Sequence, residues 1–74
     1  MGNIPVLKPT EVVSILRTLG FVEIRQRGSH KQFRHEDRRG TTVPVHKSRD
    51  ISPALLRKIA QDIDLTVEEF LSHR

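Results

Sequence analysis

The fold is decided by residues 21–46, which read FVEIRQRGSHKQFRHEDRRGTTVPVH. Val22 and Ile24 alternate with Glu23 and Arg25, which predicts a first strand, and Gly28-Ser29 breaks the run as a tight turn or bulge. The following residues predict two more strands, over 30–35 and 41–46, joined by a polar hairpin loop. Connections this short favour an antiparallel meander.

A first helix is predicted before this segment. Val12, Ile15, Leu16 and Leu19 have the i, i+3, i+4, i+7 spacing of one apolar helix face. Pro9 suits the first turn, and Gly20 accepts the left-handed geometry of a helix end, so we expect a helix over about 9–19. Residues 1–7 are expected to be a short, loose lead-in.

Two helices are predicted after the strands. Ser52 and Pro53 form a helix start, with serine as N-cap and proline in the first turn. Apolar residues then recur at helical spacing until residues 64–65. Thr66 with Glu69 three residues later is a capping-box pattern, which indicates a short C-terminal helix.

Each long helix has one apolar stripe, so both should cover the same face of the three-stranded sheet. We therefore expect a two-layer α+β sandwich forming a single domain over residues 1–74. If Phe33, Val43 and Val45 point toward the helices, their neighbours point to solvent, provided that no bulge intervenes near Gly28 or Pro44. The predicted open face then carries His30, Gln32, Arg34, Thr42, Pro44 and His46.

Composition narrows the classes of partner. The net charge of +4 is uneven: residues 25–39 hold six cations against two carboxylates, whereas residues 61–74 hold one cation against four. A basic middle suggests an anionic partner, although a merely solvated surface has similar composition. No cysteine is present, which excludes disulfides and thiolate chemistry and fits a reducing cytoplasm. No apolar run reaches the length of a membrane span, and no signal-peptide pattern starts the chain.

The strongest catalytic candidate is His30, at the end of the tripeptide Gly28-Ser29-His30. Histidine takes and returns a proton near neutral pH, so it could serve as general base or acid on a ribose 2′-hydroxyl. Gly28 is either a turn residue or a point of close ligand approach, and Ser29 either contacts phosphate or stabilises the turn, because adjacent strand residues point apart. A surface histidine beside a turn is the plainer alternative. The expected RNA contacts are Arg25, Arg27, Lys31, Arg34 and Lys47.

The remaining histidines are weaker candidates. His46 could be a second proton-transfer group, a phosphate contact or an ordinary residue at a strand end. His35 is expected to be structural, and His73 is terminal. A zinc site built from His30, His35 and His46 is disfavoured, because alternation separates them across the sheet and no acidic ligand completes the set. No cofactor is expected.

The chain resembles the HicA family of toxins from toxin–antitoxin pairs, also called YcfA-like. Four segments carry the likeness in order, and together they extend over about residues 8–71. They are a first helix ending in Leu19-Gly20-Phe21, then Arg25 to His30, Thr42 to His46, and Leu55 to Ile59. A lone Gly-Ser-His is weak evidence, whereas the ordered set in so small and basic a chain is specific.

The resemblance implies a fold like that of a double-stranded RNA-binding domain and a ribosome-independent mRNA endoribonuclease that needs no metal. It also implies that His30 is the catalytic histidine and that a HicB antitoxin covers the active face. Gln32 departs from the family pattern, in which relatives tend to carry an aliphatic residue; this leaves the substrate contacts less defined. A homodimer is a further way for so small a core to gain stability.

Two other functions are compatible with the residues. The same fold could bind RNA without cutting it. Alternatively, the last two helices could form a DNA-binding helix-turn-helix, but the net charge of −3 over residues 61–74 is unfavourable for a recognition helix.

Overall fold

Three antiparallel strands and three helices build the protein, whose computed structural model describes residues 4–74. The strands lie side by side in the order β1-β2-β3, so the predicted α+β meander is confirmed. β3 begins one residue earlier and ends two residues earlier than the predicted 41–46. The elements are α1 (Pro9–Thr18), β1 (Val22–Arg27), β2 (His30–Arg34), β3 (Gly40–Pro44), α2 (Pro53–Asp62) and α3 (Val67–Leu71).

The helix ends follow the predicted chemistry. Gly20 has a φ of +94° and ends the first helical segment, where a side chain would also meet the His35 ring. At the start of α2 the Ser52 hydroxyl accepts a hydrogen bond from the Leu55 N–H at 3.2 Å. The N–H groups of Thr66 and Glu69 donate reciprocally to each other's side chains at 2.8 and 3.0 Å, which forms the predicted capping box of α3.

One hydrophobic cluster joins the helices to the inner face of the sheet. The prediction of a loose lead-in was wrong at Leu7, which is fully buried and pairs its backbone with Ile51. The first three residues of that lead-in lie outside the described part of the chain. The buried hydrophobic residues are Leu7, Val12, Ile15, Leu16, Phe21, Phe33, Val43, Ile51, Leu56, Ile59, Ala60, Ile63 and Phe70.

β1 is the exception to the simple two-layer arrangement. Its apolar residues Val22 and Ile24 are 63% and 51% exposed, and the ladder slips between Glu23 and Arg25. The irregularity therefore lies in β1, whereas the register stays regular near Gly28 and Pro44, where a bulge would have upset the predicted alternation. The helices contact mainly β3, at the opposite edge of the sheet, so little of the helical layer reaches β1.

Candidate functional site

The middle strand separates the candidate site from the core. Phe33 is 1% exposed beneath the helices, whereas the side chains of His30, Gln32 and Arg34 are exposed on the opposite face. Since alternate residues of a strand point to opposite faces, the predicted alternation in β2 is confirmed. We call this solvent-facing side of the sheet the open face; its residues are Val22, Arg25, Arg27, His30, Gln32, Arg34, Thr42 and Pro44.

A two-residue turn holds His30 at the start of β2. Arg27 pairs with His30 across the turn, which leaves Gly28 and Ser29 as its central residues. Gly28 has a φ of +59° and Ser29 is not left-handed, which is the pattern of a type II′ hairpin with glycine first. No neighbouring atom lies within 4 Å of the position that a Cβ at residue 28 would take. Glycine is therefore favoured here by its positive φ and not by a lack of space.

Two hydrogen bonds to backbone carbonyls fix this turn to the rest of the sheet. The Gln26 side-chain amide donates to the Gly28 carbonyl at 2.9 Å, and the Ser29 carbonyl accepts from Val45 at 2.6 Å. The turn is therefore tied both to its own strand and to the end of β3. Its position determines where the His30 ring stands on the open face.

Cross-strand pairing places His30 in one row of three residues on the open face, with a second row beside it. The first row is Arg27, His30 and Pro44, and the second is Arg25, Gln32 and Thr42. Directly opposed residues in an antiparallel ladder have Cα atoms about 4.5–5.5 Å apart and share a face. Two arginines thus stand beside the histidine.

The cations of the open face are available to an external anion. Within residues 4–74, Arg25, Arg27 and Arg34 form no ion pair. Arg34 stands at the far end of β2, four residues and roughly 13 Å from His30. The open face therefore carries positive charge along the whole length of the strand.

The His30 ring is exposed and has no hydrogen-bond partner in the part of the chain that the structure describes. Both ring nitrogens are consequently free to exchange a proton with a bound molecule. Neighbouring side chains supply charge near the ring but no hydrogen bond that sets its tautomer.

Lys31, His46 and Lys47 are not gathered on the open face. They line a separate groove of about 640 Å³ between α1 and residues 45–50, which we call the α1 groove. Lys31 points inward because it alternates with His30, and its ammonium lies 3.1 Å from the Glu23 carboxylate. The expectation of one cation cluster around His30 is therefore corrected to two basic surfaces, one on each side of the sheet.

His46 differs most from its predicted position. We expected it to share the open face with His30, but β3 ends at Pro44, so strand alternation does not extend to it. Its Nδ1 lies 2.8 Å from the Ser48 hydroxyl and accepts from the Ser48 N–H at 3.3 Å. One ring nitrogen of His46 is therefore occupied within its own loop.

His35 belongs to the structural framework, as its sequence position suggested. Its ring packs against Phe21, with centroids 5.1 Å apart, and its Nδ1 accepts from the Asp37 N–H at 3.1 Å. The backbone N–H and then the guanidinium of Arg39 hold the pKa of the Asp37 carboxyl below its ordinary value. Arg39 also donates to the Ile63 carbonyl at 2.7 Å, which links this loop to the end of α2.

Sequence reasoning missed Arg17, which stands on α1 in the wall of the α1 groove. Its only sequence signal was a stripe of hydroxyl residues one turn apart, Thr10, Ser14 and Thr18, that shares this wall. Among residues 4–74, no three histidine, aspartate or glutamate side chains come together as a metal site. In the same residues, no helix is long and apolar enough to cross a membrane.

The family model described as HicA toxin of bacterial toxin-antitoxin matches residues 9–65. The chain belongs to the HicA toxin family. The match begins with α1, includes all three strands and α2, and ends just before α3. The protein is thus a toxin of a toxin–antitoxin system, and family membership implies pairing with an antitoxin. A search of curated proteins gave no match.

Proposed function

We propose that this HicA family member is a metal-independent endoribonuclease that cleaves mRNA and thereby inhibits translation, with His30 as general acid or base. The observation that carries the proposal is the position of His30. It is an exposed imidazole, without a hydrogen-bond partner among residues 4–74, in a row with Arg27 on the sheet face opposite the core. Family membership as a toxin agrees with a destructive activity of this kind.

The proposed chemistry needs one proton to leave the ribose 2′-hydroxyl. A His30 ring nitrogen accepts that proton, the 2′-oxygen forms a bond to the adjacent phosphorus, and the bond from phosphorus to the 5′-oxygen breaks. The leaving 5′-oxygen then takes up a proton, which the ring can return. One well-placed proton-transfer group contributes roughly 10²–10⁴-fold in rate.

The arginines of the open face would hold the substrate. On β1, Arg27 lies opposite His30 and Arg25 lies opposite Gln32. Their guanidinium groups present several N–H donors in a planar fork that suits phosphate oxygens. They would also stabilise the negative charge that develops on the phosphate during attack. Gly28 and Ser29 shape the site through the turn.

The same face would bind the antitoxin, a protein of the HicB type. The open face combines cations that form no ion pair within residues 4–74 with the exposed apolar side chain of Val22, and exposed Ile24 lies in the adjoining irregularity of β1. A partner that presents carboxylates around an apolar centre would cover His30 and exclude RNA. With such a substrate and partner, we expect the toxin to act in the cytoplasm.

Purified protein incubated with RNA in EDTA tests the proposal. We expect the wild-type protein to cleave RNA under these conditions and His30→Ala to lose at least about 100-fold in rate. His73→Ala is the matched control, because it removes the same ring from an exposed position near the end of the chain. Equal cleavage by wild type and His30→Ala would exclude His30 as the catalytic group.

A non-catalytic RNA-binding module is the second candidate. Catalytic histidines commonly have a hydrogen-bond partner that orients the ring. Within the described residues no side chain orients the His30 ring, and this favours a protein that binds RNA without cutting it. Its signature is an RNA affinity whose logarithm falls linearly with the logarithm of the salt concentration, with no cleavage by the wild-type protein.

A further inference from the structure

The α1 groove is a second basic surface that the cleavage chemistry at His30 does not use. Its floor contains the half-buried side chains of Val13 and Val45. Hydroxyl groups of α1, from Ser14 and Thr18, stand along one wall. The hydroxyl groups and the cations of the groove suit the ribose and phosphate groups of a nucleic-acid strand, and the aliphatic side chains suit the apolar face of the ribose.

The charge of the groove is strongly biased. Among the residues described, four cations and one carboxylate line it: Lys8, Arg17, Lys31, Lys47 and Asp50. Two of these cations are already paired within the chain. The Lys31 ammonium lies 3.1 Å from Glu23 and that of Lys8 lies 3.9 Å from Asp50, whereas neither Arg17 nor Lys47 has an ion pair within residues 4–74. An external anion is the available partner for both.

The groove is continuous with the turn that holds His30. Val45 lines the groove and also donates its N–H to the Ser29 carbonyl at 2.6 Å. Lys31, the next residue after His30, reaches the groove from the other side of the strand. A polymer that occupies the His30 site therefore needs to pass only the end of β3 to enter the groove.

We propose that one RNA strand bound at His30 continues around the end of β3 into the α1 groove, where Arg17 and Lys47 bind its phosphates. This inference rests on the proposed function, since it extends the same substrate beyond the cleavage point. The hydroxyl groups of Ser14 and Thr18 beside the cations suit ribose and phosphate oxygens, which favours RNA over an acidic protein segment that would match the groove's charge alone.

RNA binding by His30→Ala protein tests the inference without cleavage. We compare a 4-nucleotide with a 12-nucleotide RNA, in the His30→Ala background and after adding Arg17→Gln and Lys47→Gln. Each lost phosphate contact lowers the slope of log affinity against log salt by about 0.7 for a single strand, so the double change should lower the 12-mer slope by roughly 1.4. The 4-mer, confined to the His30 site, should bind unchanged. Arg57→Gln is the control for each of the two changes made singly: it removes one positive charge from an exposed position of α2 and should affect neither RNA.

Three results would overturn the inference. Unchanged affinity and slope for the 12-mer would show that the groove is unused, and equal losses for both RNAs would indicate a general charge effect. NMR shifts of Ser14 and Thr18 with poly-glutamate, but none with RNA, would assign the groove to an acidic protein. If wild type cleaves RNA in EDTA while one of these results holds, only the inference fails. If the wild type neither cleaves nor binds RNA, the proposed function fails first.

Discussion

The two faces of β2 carry opposite kinds of chemistry within five residues. Phe33 lies under the helices with 1% of its surface exposed, and its neighbours Gln32 and Arg34 face water. His30 is on the open face with them. The contrast indicates that the covered face determines whether the protein folds, while the open face can change without loss of the fold. The predictions below compare matched changes on the two faces.

The largest difference is expected between Phe33→Ala and Gln32→Ala. Removing a buried phenyl ring costs about 3–5 kcal/mol, which approaches the whole stability of a domain this small. Gln32→Ala, one residue away on the open face, should change the free energy of unfolding by no more than about 0.5 kcal/mol. Urea denaturation followed by circular dichroism measures both, and similar losses would remove the distinction between the faces.

The same valine-to-threonine change should have different effects on the two faces. Val43 is fully buried, so Val43→Thr places a hydroxyl in the core at a cost of about 1–3 kcal/mol. Val22 is 63% exposed on the open face, and Val22→Thr should shift the free energy of unfolding by less than about 0.5 kcal/mol. Thermal denaturation of both variants gives the comparison; a destabilised Val22→Thr would mean that β1 is covered in solution.

On the open face, a lost charge should reduce RNA binding and leave the fold intact. Arg27→Gln removes the cation directly opposite His30, so the slope of log affinity against log salt should fall by about 0.7. Fluorescence anisotropy with a labelled RNA, in the His30→Ala background, measures this slope. Arg57→Gln on α2 is the charge-matched control, and an equal effect from both would indicate that binding follows net charge alone.

The smallest effect is expected at Asp37, an exposed residue in the loop between β2 and β3. Contacts with Arg39 lower its pKa below the ordinary 3.8, so its stabilising contribution is present above that pH and disappears as the pH falls through the lower, folded-state value. The difference in free energy of unfolding between wild type and Asp37→Asn should therefore be largest near neutral pH and shrink below about pH 4. Urea titrations from pH 6 to 2.5 measure it, and a difference that grows toward low pH would contradict the assignment.

Most of the fold could be predicted because its local signals agree with one another. Gly20, Ser52 and Thr66 mark helix ends by chemistry that acts over three or four residues, and the structure has each of them. The exposed apolar residues of β1 could not be predicted, because alternation gives two faces without stating which one the helices cover. The burial of Leu7 depends on pairing with Ile51, 44 positions later in the chain, which no local pattern reveals.

The candidate site was predictable where it lies within one strand and not where it depends on packing. Alternation in β2 placed His30 and Arg34 correctly, because that strand is regular along its length. Lys47 and His46 follow the end of β3, where strand geometry no longer constrains direction. Arg17 joins them only because α1 packs beside that loop, so its part in a basic groove depends on tertiary structure.

The most direct test of the contrast between the two faces of the sheet uses the His30→Ala variant. Its cleavage rate per folded molecule and its free energy of unfolding are measured on the same sample. We predict a rate at least about 100-fold below that of wild type in EDTA, with a free energy of unfolding within about 0.5 kcal/mol of the wild-type value. An unchanged rate, or a lost rate accompanied by an equally lost fold, would contradict the account that His30 on the open face provides catalysis while the residues beneath the helices provide stability.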